Sequence, residues 1–396
     1  MNPPPDMEPI ALRQRLARMQ SWVGQGVDQI DTPALVIDLD AMERNLARMA
    51  AFARACQMRL RPHAKTHKSA ELALLQMAQG AVGVCVQKID EALALAQGGV
   101  GNIYITNEVI DPVKLARLAK AVHRGGTRFA MAVDNELGIE RLLDALTEAR
   151  ATETSAIDVF VEMDIGHGRC GVESPEQALL LAQLIQQKPT LRFAGLQAYH
   201  GAAQHLRSTA ERDATMANSA ARVQATVNTL QGAGVNVPLI TGAGTGSFVR
   251  EAGSGLWGEL QAGSYLFMDA DYAANESDPD APPFEHALFV KSQVMSRSNA
   301  HAVCDAGHKS HAIDSGLPKV AHPPGLRYAN GGDEHGVLHP HEANAPPPPL
   351  GSAVWLIPGH CDPTVNLHDA YVGVRGGLFQ GRVERIIAID ARGALT

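Results

Sequence analysis

The chain has 396 residues, 45% hydrophobic and 19% charged, with a formal net charge of −8. That composition is ordinary for a globular protein and argues against global disorder. The acidic balance gives no electrostatic reason to expect nucleic acid or an anionic membrane as partner, and no apolar run approaches the ~18–20 residues of a transmembrane helix.

Length alone gives a prior of two or three domains. Met1 to Asp6 is proline-rich and lacks a basic segment followed by an apolar one, so no signal peptide is expected. Cys56, Cys85, Cys170, Cys304 and Cys361 are odd in number and scattered, with no C-x-x-C, which points to a reducing cytoplasm. Residues 10–23 read as one amphipathic helix, 32–38 as a strand, and 39–56 as a second helix. From there strands and helices alternate. Strands are expected at 59–63, 83–87, 102–106, 128–133, 157–163, 192–199, 237–241 and 264–268. Asp111-Pro112 starts one intervening helix with a cap and a proline at its first turn; Ser174-Pro175-Glu176-Gln177 starts another with a capping box.

Repeated strand–helix units imply a parallel sheet. Polar residues end many of the strands: Lys65, Gln87, Asn107, Asp134, Asp164, His200 and Thr241. An open sheet would gather them at one switch point, so the expectation is a (β/α)8 TIM-like barrel over residues 31–275. With the strand at Leu35 there are nine candidates for eight places, and that strand is assigned to the second domain or its junction. After the turn-rich stretch 278–283, short alternating strands without convincing helices describe a mostly antiparallel β domain over 276–396, with 1–30 packing at the junction.

Five stretches carry chemistry. In Arg61-Pro62-His63-Ala64-Lys65-Thr66-His67-Lys68, an extended backbone would point His63, Lys65 and His67 to one side. Crowded cations repel on an outer face; in a site they lower a lysine's pKa and free its amine for attack on a carbonyl. Asp164-Ile165-Gly166-His167-Gly168-Arg169 offers Arg169 to an anion or a ring nitrogen, or to a structural pair with Asp164. Gln197-Ala198-Tyr199-His200-Gly201 to His205 offers Tyr199 to a phosphate, and His200 or His205 for proton transfer. Thr241-Gly242-Ala243-Gly244-Thr245-Gly246-Ser247 is a glycine-rich turn where late barrel strands often hold phosphate. In the β domain, Pro358-Gly359-His360-Cys361-Asp362 puts an imidazole and a carboxylate two apart; in an extended segment both could share one divalent ion, with Cys361 turned away.

These blocks, with Gly168-Arg169-Cys170-Gly171-Val172 and Asp333-Glu334-His335-Gly336, together resemble the D-threonine aldolase and D-serine dehydratase group of alanine-racemase-like, fold type III pyridoxal phosphate enzymes. The resemblance runs from about Thr32 to Arg392, with the blocks in the family's order. It implies that Lys65 carries pyridoxal 5'-phosphate on its amine and that Arg169 hydrogen-bonds the pyridine nitrogen. Tyr199, Gly244, Thr245, Gly246 and Ser247 would hold the phosphate, although this chain has Ala243 where relatives often have a third glycine. His360 and Asp362 would bind a divalent metal. His-x-Asp resembles the aldolases and suits Mn²⁺ or Mg²⁺, with Zn²⁺ as a further option; the dehydratases resemble His-x-Cys.

The implied reaction is retro-aldol cleavage of a D-3-hydroxy amino acid of the D-threonine or D-allothreonine type, with His205 as the base. The rivals are a 3-hydroxy-D-aspartate aldolase and a dehydratase acting on D-serine or 3-hydroxyaspartate. The resemblance also implies a homodimer; the cytoplasmic location rests on the cysteine usage.

Overall fold

The structure, a computed structural model, describes residues 10–342 and 344–396; the proline-rich tail Met1 to Asp6 lies outside them. In chain order it opens with α1 (Ile10–Gln20), β1 (Ala34–Asp38) and α2 (Leu39–Ala55). The alternating part follows as β2 (Arg59–Leu60), α3 (Ala70–Ala78), β3 (Val84–Val86), α4 (Ile89–Gln97), β4 (Asn102–Ile105), α5 (Pro112–Arg124), β5 (Arg128–Val133), α6 (Glu136–Glu148), β6 (Ile157–Glu162), α7 (Pro175–Gln186), β7 (Leu191–Ala198), α8 (Thr209–Gly232), β8 (Ile240–Gly242), α9 (Phe248–Gly253) and β9 (Glu259–Leu260). Both expected helix starts are present: Asp111 Oδ1 accepts the Val113 and Lys114 N–H groups, and Ser174 with Gln177 forms a capping box.

Strands β2 to β9 form one parallel sheet in the order β2-β9-β8-β7-β6-β5-β4-β3. The Val82 N–H donates to the Leu60 carbonyl and the Cys85 N–H to the Pro62 carbonyl, each at 2.8 Å, and a parallel bridge joins His63 to Cys85. These contacts close the sheet into the barrel. Period-two alternation sorts its side chains. Ile103, Ile105, Met131, Val133, Val159 and Val161 belong to the large core beneath the helices. Their neighbours Tyr104, Ala130, Ala132 and Phe160, with Cys85, fill the interior. Large rings face small alanines there; the Tyr104 and Phe160 centroids are 4.6 Å apart.

The interior also holds a buried polar chain. Arg61 Nε donates to Glu259 Oε1 at 2.9 Å and Thr241 Oγ1 to the same oxygen at 3.0 Å. Gln261 Nε2 then donates to Thr241 Oγ1 and to Gln197 Oε1, each at 2.8 Å, and Tyr104 donates to Gln197 at 3.0 Å.

The eighth barrel strand departs from the sequence expectation. Residues 264–268 are not a strand: Ser264–Leu266 is a 3-10 turn, and the eighth place is taken by β9. A two-residue strand whose first residue is a fully buried glutamate has no apolar alternation to reveal it.

The remaining elements are β10 (Leu288–Arg297), β11 (Ala302–Cys304), β12 (Lys319–His322), β13 (Leu326–Asn330), β14 (Gly336–Pro340), β15 (Ala353–Ile357), α10 (Cys361–Val365), β16 (Ala370–Arg375) and β17 (Arg382–Ala388). They form a mostly antiparallel sheet in which β1 pairs antiparallel with β10 and parallel with β16. Its core gathers Trp22, Val36, Phe289, Trp355, Val372 and Val383. The pairing of β1 moves the unit boundary away from residue 31. One compact unit comprises the described chain to Asn45, Leu266–Asp271 and Phe284–Arg392; the other comprises Leu46–Tyr265, Tyr272–Pro283 and Gly393–Thr396. No helix among the described residues is long and apolar enough to cross a membrane.

Removing one partner of a buried ion pair strands the other charge. Arg61→Met, which leaves Glu259 with the Thr241 hydroxyl and the half-exposed Arg59, is expected to lower stability by about 3 kcal/mol. Adding Glu259→Gln should recover most of that loss. Denaturant midpoints of the two variants test this; a double variant no more stable than the single would refute it.

Candidate active site

The loop after β2 brings Lys65 to a cavity of about 280 Å³ at the C-terminal ends of the barrel strands. It does so through a 3-10 turn, Ala64–Thr66, not through the extended segment expected from sequence. His63 caps the turn, its Nδ1 accepting the Lys65 N–H at 3.4 Å. The tight turn breaks the alternation, so the basic residues part company. His63 and Lys65 line the cavity. His67 is fully buried, with Nε2 3.2 Å from Gln76 Oε1 and Nδ1 accepting the Ser69 N–H. Lys68 has a left-handed backbone (φ 52°) and donates to the buried Glu91 at 2.6 Å. Glu91 Oε2 accepts the Gln87 and Lys88 N–H groups, and the Gln87 amide reaches His63 Nε2 at 2.9 Å and Thr106 Oγ1 at 3.0 Å.

Arg169 and Tyr199 line the same cavity, the guanidinium carbon 5.8 Å from the ring centroid. An Arg169 nitrogen lies 3.9 Å from Glu162 Oε1. Burial, reinforced by the neighbouring Glu108, pushes Glu162 well above the usual carboxyl range, with Arg169 opposing. Asp164, the alternative structural partner of Arg169, instead accepts the Gly166 and Gly168 N–H groups.

Of the glycine-rich loop, Ala243, Gly244 and Thr245 line the cavity. Ala243 sits at φ 73°, a conformation that favours glycine. Gly246 and Ser247 do not line it. The Gly246 N–H donates to Gln204 Oε1 at 2.8 Å. Ser247 is 1% exposed; its hydroxyl donates to Glu251 at 2.8 Å while accepting from Gln204 Nε2. In this structure the donors of both serve buried protein groups.

The two histidines after β7 differ. His200 is buried, its Nδ1 accepts the Ala203 N–H, and burial holds its pKa below the ordinary value. His205 is exposed, with its ring centroid 5.9 Å from that of Tyr272, which lines the cavity. The turn bearing Tyr272 is stitched to the His205 loop. Buried Arg212 donates to the carbonyls of Leu206, Arg207 and Glu276, and Asn275 Nδ2 donates to the Gln204 carbonyl at 2.9 Å.

Sequence reasoning missed Thr66, Thr106, Gln197, Gln261 and Tyr272 as lining residues. The available signal was a glutamine inside an apolar strand, at Gln197, since a buried amide requires partners.

In the other unit, His360 caps α10 and Asp362 lies in its first turn. The extended geometry expected for this pair is absent, because Pro363 at the helix start favours a turn of helix here. Cys361 is buried with Sγ toward the Met268 carbonyl, away from a ligand role as expected. His360 Nδ1 is 2.7 Å from Asp314 Oδ2, a contact that orients the imidazole. Among the described residues no group of three or more His, Cys, Asp or Glu could hold a metal ion.

The cavity's donors fit pyridoxal phosphate: an amine for an aldehyde, a guanidinium for a ring nitrogen, and hydroxyl and loop groups for a phosphate. The alanine racemase N-terminal domain model matches residues 37–271, and the putative serine dehydratase domain model matches 287–374. D-threonine aldolase of Arthrobacter sp is 45% identical over 372 residues, 93% of this chain and 95% of that protein. The 3-hydroxy-D-aspartate aldolase of Paracoccus denitrificans (strain Pd 1222) is 42% identical over 376 residues, 93% of this chain and 94% of that protein. The crystal structure of D-threonine aldolase from Filomicrobium marinum superposes with a TM-score of 0.88 at 46% identity, covering 94% of this chain and 98% of that one.

Burial raises the Glu251 pKa from 4.5 to about 7. The unfolded chain loses this proton near the lower value and the folded chain holds it to the higher. Stability therefore falls as pH rises between them and levels off above, by about 3 kcal/mol. Unfolding curves across pH 4 to 8 should show this loss in the wild type relative to Glu251→Gln; parallel profiles would refute it.

Proposed function

The chain belongs to the D-threonine aldolase and D-serine dehydratase group of alanine-racemase-like enzymes, and from that membership we propose that it cleaves D-3-hydroxy amino acids of the D-threonine type to glycine and an aldehyde. The observation that carries this reading is the convergence of Lys65, Arg169, Tyr199, Gly244 and Thr245 on one cavity, in a chain so similar to D-threonine aldolase. Lys65 is the residue to carry pyridoxal phosphate. When bound, the cofactor supplies a sink for the charge left on Cα as the Cα–Cβ bond breaks. A divalent ion, Mn²⁺ or Mg²⁺ for a carboxylate-containing pair, would be held by His360 and Asp362 and supplies Lewis acidity.

The chain's own residues divide the remaining work. Arg169 would orient the pyridine ring. A guanidinium has no acceptor and stays protonated, so the ring nitrogen it faces gains no proton from it and the sink is weak. Deprotonation of the substrate β-hydroxyl then has to contribute more, and His205 is the proposed acceptor. Tyr199 and Thr245 supply hydroxyl donors for the phosphate. The reading includes a homodimer and a cytoplasmic location; five free thiols support the latter.

A second reading, cleavage of 3-hydroxy-D-aspartate to glycine and glyoxylate, draws on the 42% identical relative. The Arg169 guanidinium lining the cavity could attract its extra carboxylate. The dehydratase rival is less favoured because residue 362 is Asp and not Cys.

Product analysis separates these readings. D-threonine should give glycine and acetaldehyde, with activity lost on chelation and restored by Mn²⁺; ammonia and a 2-keto acid as products would overturn the aldolase reading. Lys65→Ala should lose the visible absorbance of bound cofactor together with turnover, and a coloured, active variant would remove Lys65 from its role.

A further inference from the structure

Gln204 carries a pattern of contacts that the functional reading leaves unused. It is 1% exposed. Its Nε2 donates to the His200 carbonyl at 3.1 Å and to Ser247 Oγ at 2.8 Å, while its Oε1 accepts the Gly246 N–H at 2.8 Å. The amide orientation is self-consistent: the nitrogen faces two acceptors and the oxygen a donor. Its backbone carbonyl accepts from Asn275, three residues after Tyr272.

The glycines of the loop are explained by the same residue. A Cβ on Gly244 would overlap Gln204 Oε1, and one on Gly246 would lie 2.7 Å from the Gln204 carbonyl oxygen. Two of the loop's glycines thus make room for Gln204 behind them. Ser247 completes the support, since its hydroxyl proton goes to Glu251 and its lone pair to Gln204. The next residue in the chain is His205.

We propose that Gln204 is a positioning residue that holds the loop Gly242 to Ser247 and His205 in one arrangement, so that a phosphate gripped by that loop and the proton acceptor are placed together. This rests on reading the cavity as a pyridoxal phosphate site. The effect required is specific to phosphate. In Gln204→Ala the loop keeps its sequence but loses its backing, so pyridoxal phosphate should lose affinity where pyridoxal, which lacks the phosphate, does not.

The test titrates the apo form of the full chain with each compound, following visible absorbance. The expected result is a preference for pyridoxal phosphate over pyridoxal reduced about tenfold in Gln204→Ala, the size of one net hydrogen bond. Gln204→Glu keeps the shape and the acceptor for Gly246 but cannot donate, and should shift the ratio in the same direction. In the unsubstituted chain, hydrogen exchange in the segment containing Gln204 and His205 should slow more with pyridoxal phosphate than with pyridoxal. This measurement decides the matter if the variants do not fold. Wild-type ratios in folded variants, or equal slowing by both compounds, would overturn the proposal. A wild type that takes up neither compound would overturn the cofactor reading and the proposal with it, an outcome visible without any substitution.

Discussion

The buried contact between Lys68 and Glu91 anchors the turn that carries Lys65 to the cavity. Two residues separate Lys65 from Lys68, and the intervening backbone is short and tightly turned. Lys68 adopts a left-handed conformation that a lysine rarely takes, which implies that its ion pair outweighs the local strain. Glu91 is well compensated: one oxygen faces the ammonium and the other accepts two backbone N–H groups at the start of α4. An ion pair so buried has value only while its geometry holds. Its effect is therefore to tie the loop after β2 to the helix after β3. Through Gln87 the same network reaches His63 and Thr106, so one wall of the cavity moves as a unit.

The opposite wall is built on a different principle. There the glycine-rich loop is supported by neutral groups, Gln204 and the Ser247 hydroxyl, with a carboxyl behind them that burial keeps easily protonated. A neutral backing suits a wall that faces an anion, because a fixed negative charge would oppose it. Between the walls, the barrel interior is polar for a core. Gln197 and Gln261 form the floor and pass hydrogen bonds down to Glu259 and Arg61. Every donor and acceptor in that chain limits where the floor can shift, which is how a broad polar interior remains ordered.

The sequence made the strand–helix alternation, the barrel and the main lining residues legible. Period-two alternation and capping signals are local, and they survive translation into structure at β5, β6 and the starts of α5 and α7. What was illegible depended on partners distant in the chain. The turn at Lys65 answers to Glu91, the roles of Gly246 and Ser247 to Gln204, and the eighth strand to a glutamate buried against Arg61. His360 and Asp362 were visible as a pair, but their backbone was not, since an H-x-D spacing is compatible with a strand or the first turn of a helix. Tyr272 escaped because it lies beyond the last apolar run, in a segment ordered by Arg212 and Asn275.

Ala243 keeps a side chain at a backbone angle where most residues would give way to glycine, and it does so inside the cavity wall. A single-nucleotide change in its codon would relieve that strain. The methyl group fills space in the cavity wall that a glycine would leave open, so the local backbone strain comes together with a smaller chamber.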